Sequence, residues 1–182
     1  DVGIEMVVSN GEFGNMPVVG QVKNAELVAN FDATGASVSG SADLLGVASN
    51  LLVTFDDDSE RVSMRVSAQK SAALAEMMSA RAGIDINGTL AGSIELNSDM
   101  QFGNVLIDVG VDFSDAGASV PTIGWAKLPG EPGTAAMTLE LDEGRLRRIN
   151  DITVTSGSLS ARGEVQFNAG RWSPENKRCN IP

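Results

Sequence analysis

The chain has 182 residues, a length that fits one domain or two, with 42% apolar residues and a formal net charge of −11. It has no histidine, which removes the commonest general base and metal ligand, and its single cysteine, Cys179, precludes an internal disulfide. The acidity, with no basic stripe, argues against a nucleic-acid partner and makes an anionic membrane surface a poor one.

In chain order, residues 2–9 alternate Ile4, Met6 and Val8 with Glu5 and Ser9, the period of two that marks a half-buried strand. Asn10-Gly11 is a turn signal, and Gly14 to Pro17 reads as a loop. Leu27, Ala29 and Phe31 alternate with Glu26 and Asn30 over residues 22–31. Residues 36–44 contain Val38-Ser39-Gly40-Ser41-Ala42-Asp43-Leu44, a strand with a glycine in its apolar row. Residues 50–56 put Leu51, Val53 and Phe55 on one side. After the turn Asp56-Asp57-Asp58-Ser59, the chain returns as Val62, Met64 and Val66 against Arg61, Ser63 and Arg65, the clearest hairpin in the sequence.

Residues 69–82 change period. Leu74, Met77 and Met78 recur at helical spacing among alanines, the best helix formers, and Gly83 suits a C-terminal stop. Asn87-Gly88 then turns into Leu90-Ala91-Gly92-Ser93-Ile94-Glu95-Leu96, a second copy of the glycine-bearing strand. Residues 103–113 give the longest alternation, with Val105, Ile107, Val109, Val111 and Phe113 opposite Asp108, Gly110 and Asp112. Residues 117–127 continue as a strand through Val120, Ile123 and Trp125, before the loop Gly130-Glu131-Pro132-Gly133. Met137, Leu139 and Leu141 alternate with Thr138, Glu140 and Asp142, and Glu143-Gly144 is another hairpin signal. Residues 145–155 carry Leu146, Ile149, Ile152 and Val154, with an irregularity near Asn150. A third copy of the unit, Leu159-Ser160-Ala161-Arg162-Gly163-Glu164-Val165-Gln166-Phe167, closes the series.

These elements predict a mainly β fold: an antiparallel, curved meander of about eleven strands, an open groove or half-barrel, with one α-helix near residues 69–82. A single β domain is expected over residues 1–170, followed by a polar tail over 171–182. The chain opens at Asp1 in strand-like sequence, so it reads as a segment of a longer protein, any anchor or signal of which would lie outside it.

An antiparallel sheet can leave one face wet but must cover the other, by folding into a sandwich, by closing into a barrel, or by holding an apolar ligand. Six Phe and two Trp are few fillers for so many strands, and one helix is a small cover. Gly40, Gly92 and Gly163 thin the apolar row or mark bulges. The candidate lining of an apolar groove is Leu51, Val53, Val62, Met64, Leu90, Ile94, Leu96, Val105, Ile107, Val109, Val111, Met137, Leu139 and Leu141. The same side chains serve equally as the filling of a self-packed core, in which case the chain is a structural or adhesive β module of a secreted or surface protein.

Three stretches carry a family resemblance: Ser71-Ala72-Ala73-Leu74-Ala75-Glu76-Met77-Met78 running on to Leu96; Gly124-Trp125-Ala126-Lys127-Leu128-Pro129-Gly130-Glu131-Pro132-Gly133 followed by Leu139-Glu140-Leu141-Asp142; and Gly157-Ser158-Leu159-Ser160-Ala161-Arg162-Gly163-Glu164-Val165. Together they resemble the AsmA-like proteins of Gram-negative envelopes, in particular the large bridge-like members of the YhdP type. The resemblance spans residues 30–168, and its least generic piece is the Trp-x-Lys-x-Pro-Gly loop. It implies a long β-sheet with an apolar inner groove, anchored in the inner membrane, reaching across the periplasm and guiding phospholipid or fatty acyl chains toward the outer membrane. It also implies neighbouring segments of the same longer chain as partners, no cofactor and no catalytic residue.

Other constellations read as ordinary surface. Asp56-Asp57-Asp58 lacks the spacing of a calcium loop. Asp108 and Asp112 share a strand face but stand about 13 Å apart, too far for paired glycosidase carboxylates. Lys127 reads as an exposed loop lysine, with a grip on lipid phosphate as the alternative. Arg145, Arg147 and Arg148 form a small basic cluster suited to local ion pairs or a headgroup contact. No metal site is predicted.

Overall fold

Strands dominate the computed structural model, which describes residues 3–16, 20–82, 84–157, 159–168, 171–172 and 178–180. They are β1 (Ile4–Met16), β2 (Gly20–Asp32), β3 (Gly35–Leu44), β4 (Val47–Asp56), β5 (Arg61–Ser71), β6 (Asp85–Asn87), β7 (Leu90–Asp99), β8 (Asn104–Asp112), β9 (Gly117–Val120), β10 (Trp125–Lys127), β11 (Gly133–Asp142), β12 (Arg145–Ser156), β13 (Leu159–Asn168), β14 (Arg171–Trp172) and β15 (Arg178–Asn180). One α-helix, α1 (Ala72–Ala82), and a short 3-10 turn at Pro121–Ile123 complete the set.

One open antiparallel sheet runs in the order β1-β2-β3-β4-β5-β7-β8-β11-β12-β13, with β14 and β15 both paired to β13. β1 and β13 do not join, so the sheet is not a barrel. The mainly β, antiparallel fold with a single helix is thus the one the alternation predicts.

Two insertions interrupt the meander, and both leave the sheet at the same end. α1 and β6 lie between β5 and β7, while β9, the 3-10 turn and β10 lie between β8 and β11. β6 pairs with β9, so the insertions meet as a small sheet, β10-β9-β6. The expected continuous strand over 117–127 is therefore corrected to two short strands off the main sheet. Pro121 has no N–H for a ladder, and Gly124 turns the chain in the left-handed region at φ 67°.

At the opposite end the hairpin turns are tied side by side. The Asp57 N–H donates to the Thr34 carbonyl at 3.1 Å, Met100 N–H to Glu60 at 3.1 Å, and Glu143 N–H to Gly103 at 2.8 Å. Carboxylates close these turns from within. Asp56 Oδ1 accepts from the backbone of Asp58 and Ser59, and Asp99 accepts from Gly103 and Asn104. Hydrogen bonds from the Ser59 side chain and backbone hold the Asp56 carboxyl below its ordinary value, and the Gly103 N–H does the same for Asp99.

Other boundaries shift for physical reasons. The predicted turn at Asn10-Gly11 is instead an irregularity inside β1: Asn10 sits at φ 52°, its N–H donates to Glu26 Oε1, and pairing with β2 resumes beyond it. The expected loop from Gly14 gives way to strand as far as Met16, and Pro17 lies outside the described residues. The helix begins at Ala72 rather than residue 69, because β5 extends to pair Ser71 with Leu90. The Ser71 hydroxyl then accepts the Leu74 N–H at 3.3 Å, an N-cap. Gly83, the predicted stop, lies outside the described residues. Within the expected tail, β14 and β15 extend the sheet edge, while residues 173–177 and 181–182 are not among those described.

Gly40 is required by close approach. A Cβ there would lie 1.9 Å from the Glu26 carbonyl oxygen, and its φ is 151°. Gly40→Ala is expected to cost about 2 kcal/mol or more in urea unfolding, whereas Gly14→Ala, with open space around it, stays within about 0.5 kcal/mol. The depressed Asp56 and Asp99 carboxyls stabilise the fold above the unfolded aspartate value of about 3.9, and that contribution disappears as pH falls through their lower folded values. The thermal midpoint should therefore drop below about pH 4, and the Asp56→Asn/Asp99→Asn double variant should show a shallower acid limb; an unchanged limb would contradict the assignment.

Candidate functional site

Every pairing in the main sheet is antiparallel, and although five of them carry a local register shift, the apolar row of each strand lies beside that of the next. One such line runs Met6, Ala29, Val38, Val53, Met64, Leu96, Ile107, Leu139, Ile149, Val165, crossing ten strands without a polar residue. At about 4.8 Å per strand it spans roughly 43 Å. A parallel line runs Val8, Leu27, Gly40, Leu51, Val66, Ile94, Val109, Met137. All fourteen candidate lining residues fall on this one face.

The opposite face is largely polar, with Leu52 and Leu106 exposed among its charged residues. Arg65 pairs with Glu95 at 2.9 Å, Arg147 with Asp142 at 2.8 Å, and the Thr138 hydroxyl donates to Asp108 at 2.6 Å. Arg147 is thus held in a local ion pair. Arg148 and Arg162 border a shallow outer depression alongside Asp151 and Glu164, a mixture of charges with no net preference for an anion.

Val62, Leu96, Val105 and Ile107 are buried on the apolar face, while Leu51, Val53, Met64, Ile94, Val109, Val111, Met137, Leu139 and Leu141 are only half-buried. Contact between elements runs mainly between neighbouring strands, and α1 and the small sheet cover one end of the face. Among the described residues there is no second layer of sheet. Toward β1 the face is barest, with Ile4 59% and Met6 55% exposed.

α1 rests on a row of small residues. Ala68 and Gly92 pair at the helix end of the sheet, and Ala135 follows beyond Val111. A Cβ on Gly92 would lie 3.2 Å from Leu74 Cδ2, so the glycine admits the helix side chain. Met77 and Met78 extend the roof over a cavity of about 190 Å³.

Two residues read differently in the structure. Leu90 is 1% exposed in the cluster with Ala75, Phe113 and Ala116, so it belongs to the covered end rather than the accessible strip. Lys127 is corrected from an exposed loop lysine to a buried one, 4% exposed. Its Nζ donates to the carbonyls of Ser114 (3.0 Å), Ala116 (2.7 Å) and Leu128 (3.0 Å), and lies 5.7 Å from the Phe113 ring centroid. All three ammonium protons are committed, which leaves none for a lipid phosphate. Lys127 shares a strand face with the half-buried Trp125, a hint of an inward side chain, but its three carbonyl partners come together only in the fold.

Among the described residues no group of three or more His, Cys, Asp or Glu is placed to hold a metal ion, and no helix is long and apolar enough to cross a membrane. The side chain of Cys179 lies outside the described residues. Comparison with protein-family models, curated proteins and solved structures yields no match.

Lys127→Met should cost about 2–4 kcal/mol in urea unfolding, because three inward carbonyls lose their donor. A loss below about 0.5 kcal/mol, the range of a surface change, would contradict this role.

Proposed function

We propose that this chain is a non-enzymatic lipid-binding segment of an AsmA-like periplasmic protein, its apolar face guiding phospholipid acyl chains between inner and outer membrane in support of outer-membrane integrity. The observation that carries the reading is the apolar line across ten strands, buried at Leu96 and Ile107 and only partly covered on either side, with no second layer of sheet among the described residues. The family assignment and the compartment rest on the sequence resemblance.

The energetics favour a continuous strip. Each CH₂ removed from water contributes about 0.8 kcal/mol, so exposing a sixteen-carbon chain costs about 12 kcal/mol. A chain moves through water-filled space only where the next apolar surface is already adjacent. Lines of Val, Ile, Leu and Met side by side supply that surface, and the polar headgroup stays in solvent. Neighbouring segments of a longer chain would extend the strip, and an anchor outside this segment would hold it to the inner membrane.

Native mass spectrometry of the purified protein, paired with analysis of an organic extract, tests this. Bound phospholipid or fatty acid is expected. Val109→Asp/Leu139→Asp should lower occupancy at least roughly tenfold, equivalent to about 1.4 kcal/mol, while Leu52→Asp/Leu106→Asp on the opposite face should leave it unchanged. A wild-type protein that stays lipid-free after incubation with phospholipid vesicles would overturn the proposal.

A further inference from the structure

The cavity beneath α1 is distinct from the open strip, and its chemistry selects one part of a lipid. Its floor dips where Ala68 and Gly92 replace the larger side chains found elsewhere on the face, and its roof is Leu74, Met77 and Met78. No charged residue lines it. Ser49, a buried hydroxyl in its wall, is already donated to the Val47 carbonyl at 3.1 Å. The lining itself offers water few hydrogen-bond partners; closed cavities of about 150 Å³ with such a lining stay dry and accept benzene, and this recess shares the lining while opening to one side.

We infer that this recess is a seat for the methyl end of one unbranched acyl chain, and that α1 is its fixed roof. The inference rests on the lipid-binding reading above and adds an orientation to it. A carboxylate or phosphate finds no cation in the recess, Ser49 is committed to Val47, and Ser93 turns its side chain to the other face by strand alternation, so the charged end of the lipid lies elsewhere. Val66, Ile94 and Val109 border both the recess and the strip, so a chain passes from one to the other without crossing water. A volume of about 190 Å³ holds roughly six to eight carbons, scaled from the benzene case. Flexible methionine side chains adapt to a moving chain end. The roof is pinned at both ends: Lys70 pairs with Asp115 ahead of the helix, Ser71 caps its first turn, and the Ser79 hydroxyl accepts the Ile86 N–H at 3.0 Å. The recess therefore persists when empty.

Photocrosslinking of the full chain locates the chain end. Two hexadecanoic acid probes are used, one with a diazirine at the terminal carbon and one with it near the carboxylate, and adducts are mapped by peptide mass spectrometry. The terminal probe should label the α1 peptide about tenfold more than the other probe does, the ratio that a preference of about 1.4 kcal/mol gives. The excess should vanish in Ala68→Phe, which fills the floor, while total probe binding persists. Saturable labelling of the strip strands by both probes alike, with no excess on α1, would overturn the seat and leave the lipid-binding reading standing. Absence of any saturable adduct in the wild type would overturn both. The wild-type map decides by itself if Ala68→Phe does not fold.

Discussion

The structure depends on a period of two kept in register across ten strands. A slip of one residue in any pairing would turn that strand's apolar row to the wet side. Irregular steps occur, but they are placed so that the register recovers. In β12 the chain takes three residues from Ile149 to Ile152 while β13 takes two from Val165 to Gly163, and Asp151 absorbs the extra residue at φ 50°. In β2 three residues from Lys23 to Glu26 oppose two from Asp43 to Ser41, with Asn24 at φ 50°. Both devices are β-bulges, and each returns the following side chains to the face they would otherwise have left.

The covered end and the open face follow from where the meander is interrupted. Both insertions leave from strand ends on the same side, so α1 and the small sheet lie together and are closed by Lys127 and the cluster around Leu90. The opposite end is a line of tight turns joined by backbone hydrogen bonds. Between the two, the strands present aliphatic side chains that the molecule itself covers only in part. Coverage is uneven: Val62, Val66, Leu96, Val105 and Ile107 are buried, while their neighbours on the face are half-buried.

Much of this was legible in the sequence. Strict alternation such as Val105, Ile107, Val109, Val111 fixes a strand and its face, and the antiparallel meander follows from short turns between such strands. The irregularity near Asn150 was visible as a break in that alternation. What the sequence concealed was long-range pairing. Nothing local tells that Asp85–Asn87 will pair with Gly117–Val120, so residues 117–127 read as one more strand of the main sheet. Lys127 was misplaced because a lysine beside Pro and Gly is usually solvated, and only the fold brings three carbonyls to its Nζ. The cavity under α1 was equally hidden, since it requires the helix to be set down over Ala68 and Gly92.

The central claim is that the apolar face takes up hydrocarbon, and methionines report on it directly. Met64 and Met137 lie on the strip, whereas Met100 lies in the turn between β7 and β8. With the methionine methyls labelled with carbon-13, titration with hexadecanoic acid below its micelle concentration should shift the Met64 and Met137 signals saturably and leave Met100 in place. Met64 and Met137 signals that stay fixed through the titration would contradict the account.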